Sequence, residues 1–238
     1  MITLTIDTST NILGVAILKE SELIAQKITR VNQDHSSRLM PAIVELMNDV
    51  NIKPNELGKI VVAEGPGSYT GIRIGVTVAK SLAWSLNIPI IAVSSLESLA
   101  YQAQLKDGLV CSFFDARRNN VFAGIYRFNK GVVTSIKPDA NLSFKALEAE
   151  LLSMDEEVIL LSPDIDKFKS LMTDDIKLLA TIPEPTYHIA NPVNLALIAQ
   201  GKSADNLHQL TPEYLRMAEA EVNWLKAKEK GSEKLNED

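Results

Sequence analysis

The first half of the chain alternates short apolar runs with amphipathic segments, which predicts an α/β fold. Three runs, at 1–6, 12–18 and 23–30, have the length and β-branched content of strands. Asp7 and a polar stretch separate the first two. Helices and strands then alternate, as a helix at 37–50, a strand at 59–63, a helix at 71–86, a strand at 88–93 and a helix at 94–104.

The same order of elements returns in the second half. "LVCSFF" is followed by Asp115 and a polar run, as the first strand is followed by Asp7. The elements predicted after it are strands at 121–128 and 132–137, a helix at 143–153, a strand at 157–162, a helix at 164–172, a strand at 176–181 and a helix at 191–202. Such repetition indicates duplicated units, each with parallel strands beside an antiparallel meander. Each half resembles a ribonuclease H-like unit, and the tandem resembles the actin/sugar kinase/Hsp70 (ASKHA) superfamily.

The repeat predicts a boundary between two domains in "QLKDG", at 104–108. We expect an N-terminal ribonuclease H-like domain at 1–105, which carries partner-binding helices, and a C-terminal one at 106–217. Residues 218–238 are charged and poor in apolar side chains, so we expect them to form a frayed or disordered tail.

The charge disfavours a protein that binds nucleic acid by itself, and the cysteine content excludes a disulfide-bonded fold. The formal net charge is −6, whereas proteins that grip nucleic acid by themselves usually show a basic footprint. The single cysteine, Cys111, excludes an internal disulfide and lies in an apolar run typical of a core. Neither a signal peptide nor a membrane-spanning run is apparent, so we expect a cytoplasmic protein without membrane contact.

A nucleotide site is one possibility for the turn after the first strand. Asp7, Thr8 and Ser9 occupy the place where the superfamily carries an acid and a glycine-bearing phosphate turn. The hydroxyl groups could donate to phosphate, but Ser9 replaces the glycine that would allow close approach. The alternative is that these residues only shape a hairpin. A small-molecule kinase or ATPase of this superfamily is the competing functional hypothesis.

The stretch "EGPGSYTGIRIG" at 64–75 resembles a phosphate loop but has the wrong spacing for one. Gly71 is followed by Ile72 and Arg73 instead of the Lys-Ser/Thr of a P-loop, and the spacing of Gly65, Gly67 and Gly71 does not match a dinucleotide fingerprint. The glycines continue into the predicted helix, where small residues recur every fourth position. Glycine inside a helix usually indicates close packing by another element.

Two hypotheses remain for this small-residue stripe, and both can hold on different faces. It packs on the chain's own sheet, or it forms an interface with a partner, together with the amphipathic helix at 37–50. The predicted interface residues are Leu39, Ile43, Leu46, Met47, Tyr69, Gly71, Arg73, Gly75, Val76, Ala79, Lys80 and Ala83.

Catalytic and metal motifs are not evident. His35, His188 and His208 are isolated, and neither an H-x-x-x-H pair nor a G-x-S-x-G elbow occurs. We therefore predict neither catalytic residues nor a metal site. Asp115 and Arg117 are predicted to stabilise the second hairpin.

The segments "IDTST", "EGPGSYTGIRIGVTVAK", "SSLESLA", "DARRNNVFAGIY" and "TPEYLR" resemble the TsaB (YeaZ) family, from Met1 to about Arg216. The resemblance implies a non-catalytic subunit that binds a TsaD-type threonylcarbamoyltransferase through its first domain. It also implies self-association through the same surface, and a TsaE-type ATPase as a further component.

The reaction implied is formation of threonylcarbamoyladenosine beside the tRNA anticodon, from an adenylate that a TsaC-type enzyme makes. The complex uses ATP, and this chain has no cofactor of its own. tRNA is reached only through the complex. Glycopeptidase activity, sometimes attributed to relatives, is disfavoured because the metal ligands and nucleophile are missing.

Overall fold

A computed structural model describes residues 1–31 and 34–216, which form two five-stranded mixed sheets. The first sheet has the order β3-β2-β1-β4-β5, with β1 antiparallel to β2 and parallel to β4. Its strands are β1 (Ile2–Asp7), β2 (Ile12–Lys19), β3 (Glu22–Arg30), β4 (Leu57–Gly65) and β5 (Ile90–Ser94).

The second sheet repeats this topology in the order β10-β9-β6-β7-β8. The duplication predicted from the sequence is therefore confirmed, and with it the ribonuclease H-like α/β class. The strands are β6 (Gly108–Asp115), β7 (Asn120–Asn129), β8 (Val132–Ser143), β9 (Val158–Leu161) and β10 (Ala180–Thr181).

Helices cover both faces of each sheet. Successive side chains of a strand point to opposite faces of the sheet, so each sheet can pack against helices on both faces. The helices are α1 (His35–Asp49), α2 (Tyr69–Leu86), α3 (Ser95–Ala100), α4 (Phe144–Met154), α5 (Ile165–Phe168), α6 (Asp174–Leu179) and α7 (Pro192–Ile198).

The outer layers enclose one core in each half. Leu4, Ile6 and Ile60 on the first sheet pack against α1 and α2. On the second sheet, Phe113 packs edge-on against Phe168, in a core that α4, α5 and α6 close. Cys111 is buried in this second core, as its apolar context predicts.

The middle layer is formed by α3 and α7, which lie between the sheets. Leu96 and Leu99 of α3 pack against the inner face of the second sheet, although α3 follows the last strand of the first. Leu195 and Ile198 of α7 pack against the inner face of the first sheet. Each half therefore contributes a helix to the inner core of the other.

The predicted strand at 176–181 is wrong. Residues 174–179 form α6, and only Ala180 and Thr181 pair with β9. The hydroxyl of Thr173 caps the helix by accepting from the amide of Ile176, and two aspartates stand in the first turn, where the helix dipole favours them. These polar signals precede the apolar run that suggests a strand.

Other boundaries differ as well. The strand predicted at 132–137 continues to Ser143, the helix predicted at 94–104 ends at Ala100 and continues as a 3₁₀ turn, and α5 is shorter than the predicted 164–172. The domain boundaries at 105 and 217 stay predictions, and the predicted tail at 218–238 lies outside the described residues.

The glycines of "EGPGSYTGIRIG" allow α2 to lie against the turn after β1. A Cβ at Gly67 would overlap the carbonyl oxygen of Ser9, one at Gly71 that of Thr8, and one at Gly75 the hydroxyl of Thr8. The small-residue stripe therefore serves contact within this chain, which is the first of the two hypotheses.

We expect Gly71→Ala to lower the free energy of unfolding by about 1–3 kcal/mol, because the added methyl group must displace backbone. Alanine is otherwise the better helix former, so a destabilisation would have to come from the overlap with Thr8. Urea unfolding followed by circular dichroism measures the change. Gly201→Ala is the control, since a Cβ there meets no atom within 4 Å; equal stability of the two variants would contradict the account.

Candidate docking face and cleft

Most of the predicted interface residues lie in the first core. Each has a relative exposure below 9%, so none of these side chains is available to a partner while the core is closed, and they stabilise the fold. They are Leu39, Ile43, Leu46, Met47, Gly71, Gly75, Val76, Ala79 and Ala83.

A different set of apolar side chains faces outward on the same two helices. Met40 and Val44 on α1 are 39% and 50% exposed, and Trp84 on α2 is 71% exposed. The partly buried Ile74 and Val78 on α2 pack against the core beneath. We call these five residues, with Tyr69 and Arg73 at the start of α2, the α1–α2 outer face.

The sequence pattern of α1 indicates this face, although Met40 and Val44 are not among the predicted interface residues. Met40 and Val44 are four positions apart and lie beside the buried Ile43 and Met47. The apolar arc of α1 is thus wider than one sheet can cover, and a contiguous exposed apolar patch is typical of interaction sites.

The remaining predicted interface residues contact the C-terminal segment of the described chain. The guanidinium carbon of Arg73 lies 4.2 Å from the centre of the Tyr69 ring, and Arg73 Nε donates to Tyr214 Oη at 2.6 Å. Lys80 Nζ donates to the carbonyl oxygen of Leu210 at 2.6 Å. Tyr69, Arg73 and Lys80 therefore hold residues 205–216, which we call the strap, against α2.

The strap is also attached to the first sheet. The amide of Asp205 donates to Ile90 O at 2.9 Å, and the amide of Glu213 donates to Glu64 O at 2.8 Å. At its end, Arg216 Nη1 donates to Ala116 O at 2.8 Å in the second half. The strap thus links both halves along one side of the molecule.

The side chains of the turn after β1, the predicted nucleotide site, are hydrogen-bonded within the protein. Ser9 donates to Asp7 Oδ1 from both its amide, at 2.9 Å, and its hydroxyl, at 2.7 Å. Thr8 Oγ1 donates to Gly71 O at 2.7 Å. All three side chains are buried, and burial raises the pKa of Asp7. The donors that a phosphate would need are bonded within the protein, so the nucleotide prediction gains no support here.

A cleft of about 1010 Å³ opens between the halves beside this turn. Lys167 lies at its edge, where it donates to Asp115 at 3.0 Å and to Asp164 at 2.7 Å. Asp115 also accepts from the amide of Arg117 at 2.7 Å, which agrees with its predicted role in the hairpin. Asp115 and Lys167 thus stabilise the second hairpin at the edge of the cleft.

The histidines are used structurally where they are buried. His35 Nε2 bonds to Thr10 O at 2.9 Å, and His188 bonds to Ser162 N and to Pro183 O. Within residues 1–31 and 34–216, no group of three or more His, Cys, Asp and Glu side chains could hold a metal ion. Nor is any helix of this part of the chain long and apolar enough to cross a bilayer.

Comparison with known proteins gives a consistent result. The family model described as TsaD, tRNA N6-adenosine threonylcarbamoyltransferase, matches residues 22–224. The tRNA threonylcarbamoyladenosine biosynthesis protein TsaB of Bacillus subtilis is 44% identical over 95% of this chain and 99% of its own length. The TsaB of Escherichia coli is 27% identical over 90% of this chain and 94% of its own.

The chain belongs to the TsaB family. A solved structure from Pseudomonas aeruginosa, described as similar to the peptidase YEAZ, superposes with a TM-score of 0.77 at 25% identity, over 90% of this chain and 99% of that one. A second structure, YeaZ from the same organism, has a TM-score of 0.73 at 24% identity, over the same shares. These likenesses agree with the duplicated fold.

Four of the five segments that carry the TsaB resemblance meet in space. The amide of Ser68, in the glycine-rich segment, donates to Ser9 O in "IDTST" at 2.7 Å. Arg73 binds Tyr214 of "TPEYLR", and Arg216 reaches Ala116 of "DARRNN". Four segments that are far apart in sequence thus form one site at the mouth of the cleft.

Several acidic side chains lie close together beside the strap, and Glu64 and Asp139 among them are partly buried. Burial, followed by the nearby carboxylates of Glu213, Asp205 and Asp139, raises the pKa of Glu64 to about 7, while Lys202 opposes the shift. Burial likewise raises the pKa of Glu213. Asp139 accepts from Ser94, which joins the two halves, and from Tyr126 within the second half.

We expect the stability of the protein to fall as the pH rises from about 4.5 to about 7. In the unfolded chain Glu64 ionises near 4.5, whereas in the folded protein it keeps its proton up to about 7, so the folded state binds more protons in this window. Glu64→Gln should reduce this slope. Melting temperatures from about pH 5 to about pH 8 measure it, with the exposed Glu157→Gln as control; an unchanged slope in Glu64→Gln would refute the assignment.

Proposed function

We propose that this chain is a non-catalytic subunit that binds a TsaD-type threonylcarbamoyltransferase. In this role it is required for formation of threonylcarbamoyladenosine beside the tRNA anticodon. Support comes from the names of its TsaB relatives and from the transferase family model that matches most of the chain.

The observation that carries the proposal is the α1–α2 outer face. It combines exposed Met40, Val44 and Trp84 with an arginine and a tyrosine, the composition of a protein interface centre. Burial of this apolar surface is the favourable term that association requires. A partner with a similar helical layer could pack on it, and a second copy of this chain could occupy the same face.

The chemistry of the described residues supports the non-catalytic assignment. Asp7, the acid of the first hairpin, accepts two hydrogen bonds from Ser9. The thiol of Cys111 is buried, and burial raises its pKa far above the range in which it would be a nucleophile. The proposal therefore assigns the transfer step, and the use of ATP, to the partners.

tRNA is bound mostly by the transferase in this proposal. The net charge of −6 disfavours strong binding of a polyanion by this chain alone. A TsaE-type ATPase completes the assembly.

We expect Val44→Arg to raise the Kd for a TsaD-type protein at least about tenfold, because the guanidinium would have to be desolvated in the interface. Val44 is half exposed, so the fold should persist. Isothermal titration calorimetry measures the affinity, and Leu178→Arg, at an 89% exposed apolar site in the second half, is the matched control. Ala79→Arg is unsuitable because Ala79 lies in the core.

An equal loss of affinity in Val44→Arg and Leu178→Arg would contradict binding at the α1–α2 outer face. Unchanged affinity in folded Val44→Arg would exclude Val44 from the interface and with it the central part of the proposed face. A melting curve for each variant separates these results from unfolding.

We expect a reconstituted reaction of TsaC-, TsaD- and TsaE-type proteins with tRNA to lose threonylcarbamoyladenosine formation when this chain is omitted. Mass spectrometry of nucleosides from digested tRNA measures the product. Full product without the chain would overturn the proposal. ATP hydrolysis by the chain alone, abolished in Asp7→Ala, would instead favour the kinase or ATPase hypothesis.

A further inference from the structure

Arg73 is an exposed cation on the α1–α2 outer face, and within residues 1–31 and 34–216 it forms no ion pair with an acidic side chain. Among the described residues, the ion pairs of this chain involve other basic side chains, and Arg73 contacts tyrosines only. A surface arginine without a carboxylate is ordinary by itself. The unusual feature is how closely this one is held.

Two aromatic rings and one hydrogen bond fix the guanidinium. Its central carbon lies 4.2 Å from the centre of the Tyr69 ring and 5.6 Å from that of Tyr214, and Nε donates to Tyr214 Oη at 2.6 Å. The centres of the two tyrosine rings lie 4.8 Å apart. Much of the entropy that a free arginine would lose on binding is therefore already lost in the free protein.

The strap holds Tyr214 in place for this contact. The preceding residue, Glu213, donates its amide to Glu64 O, and its carbonyl oxygen lies so close to Gly65 that a Cβ there would come within 2.6 Å of it. Arg216 binds the second half two residues later. The tyrosine is thus fixed on one side by backbone contacts of Glu213 and on the other by the side chain of Arg216.

We propose that Arg73 binds a carboxylate of the TsaD-type partner, and that Tyr214 is the positioning residue that orients its guanidinium. This inference rests on the proposed function and names the chemistry of one contact within it. Nε is used by Tyr214, which leaves the Nη groups to form charge-assisted hydrogen bonds with an acidic side chain.

The surroundings favour a protein carboxylate over a nucleic-acid phosphate. Arg73 lies on α2 next to the partly buried Ile74, on the helix that also carries the exposed Trp84. A protein interface surrounds a charged contact with such apolar residues. A phosphate-binding surface would instead gather several cations, whereas the neighbouring Lys80 is engaged with the strap.

The test measures the affinity of the full chain for a TsaD-type protein by calorimetry at two salt concentrations. We expect Arg73→Gln to raise the Kd about 10- to 100-fold and to flatten its dependence on salt, because a charged contact is lost. Arg73→Lys should give a smaller loss, since lysine keeps the charge without the planar fork. Arg30→Gln, on the exposed end of β3, is the matched control and should not change the Kd.

Tyr214→Phe removes only the hydroxyl that accepts from Arg73. We expect a Kd raised severalfold in the natural background and no further change in the Arg73→Gln background, because the hydroxyl acts through the arginine. A purely structural role would give the same effect in both backgrounds and would overturn the positioning role. Melting curves should show all variants folded.

The outcomes separate this inference from the proposed function. If the natural chain does not bind the TsaD-type protein at all, the proposed function fails. If it binds and Arg73→Gln binds equally well, the carboxylate contact is refuted while the proposed function stands. If Arg73→Gln weakens only the binding of tRNA to the assembled complex, the ligand is a phosphate, and the inference is likewise overturned.

Discussion

The contact between α2 and the turn after β1 is the constraint on which the rest of the structure depends. The helix starts with its backbone against Thr8 and Ser9, and Gly67 and Gly71 leave no Cβ in the way. Packing this close fixes the position and rotation of α2 on the first sheet. That rotation turns Val76 and Ala79 into the core and Arg73 and Trp84 outward, so the outer surface is determined by a contact on the opposite side of the helix.

The middle layer explains how a two-part molecule can present a well-defined surface. Leu96 and Leu99 belong to the core of the second sheet, and Leu195 and Ile198 to the inner core of the first. Relative motion of the halves would expose apolar surface on both, at about 25 cal/mol for each Å². The strap adds hydrogen bonds from Asp205 to Arg216 along one side. Both features support a rigid platform for α1 and α2.

The sequence predicts the fold well because its signals are local. Alternation and β-branched runs locate the strands, and the repeated acid and hairpin reveal the duplication. The strand at 176–181 fails because capping at Thr173 outweighs the apolar run. The interface is harder to predict from the sequence, for a physical reason. Periodicity reveals that Leu39 and Ile43 share an apolar face of the helix, but not whether the chain's own sheet covers that face. Tyr214 lies 141 residues from Arg73, and no local pattern reports such a contact.

One set of polar groups bears both on the predicted nucleotide site and on the proposed docking surface. The hydroxyls of Thr8 and Ser9 and the amide of Ser9 donate inward, to Gly71 O and Asp7 Oδ1. A donor that satisfies a buried acceptor cannot serve a phosphate without leaving that acceptor unpaired, which costs about 1–3 kcal/mol for each group. Of these bonds, the one from Thr8 Oγ1 to Gly71 O also holds the first turn of α2 in place. A turn built in this way favours a fixed helix over a bound phosphate, which is the balance that the proposed docking role requires.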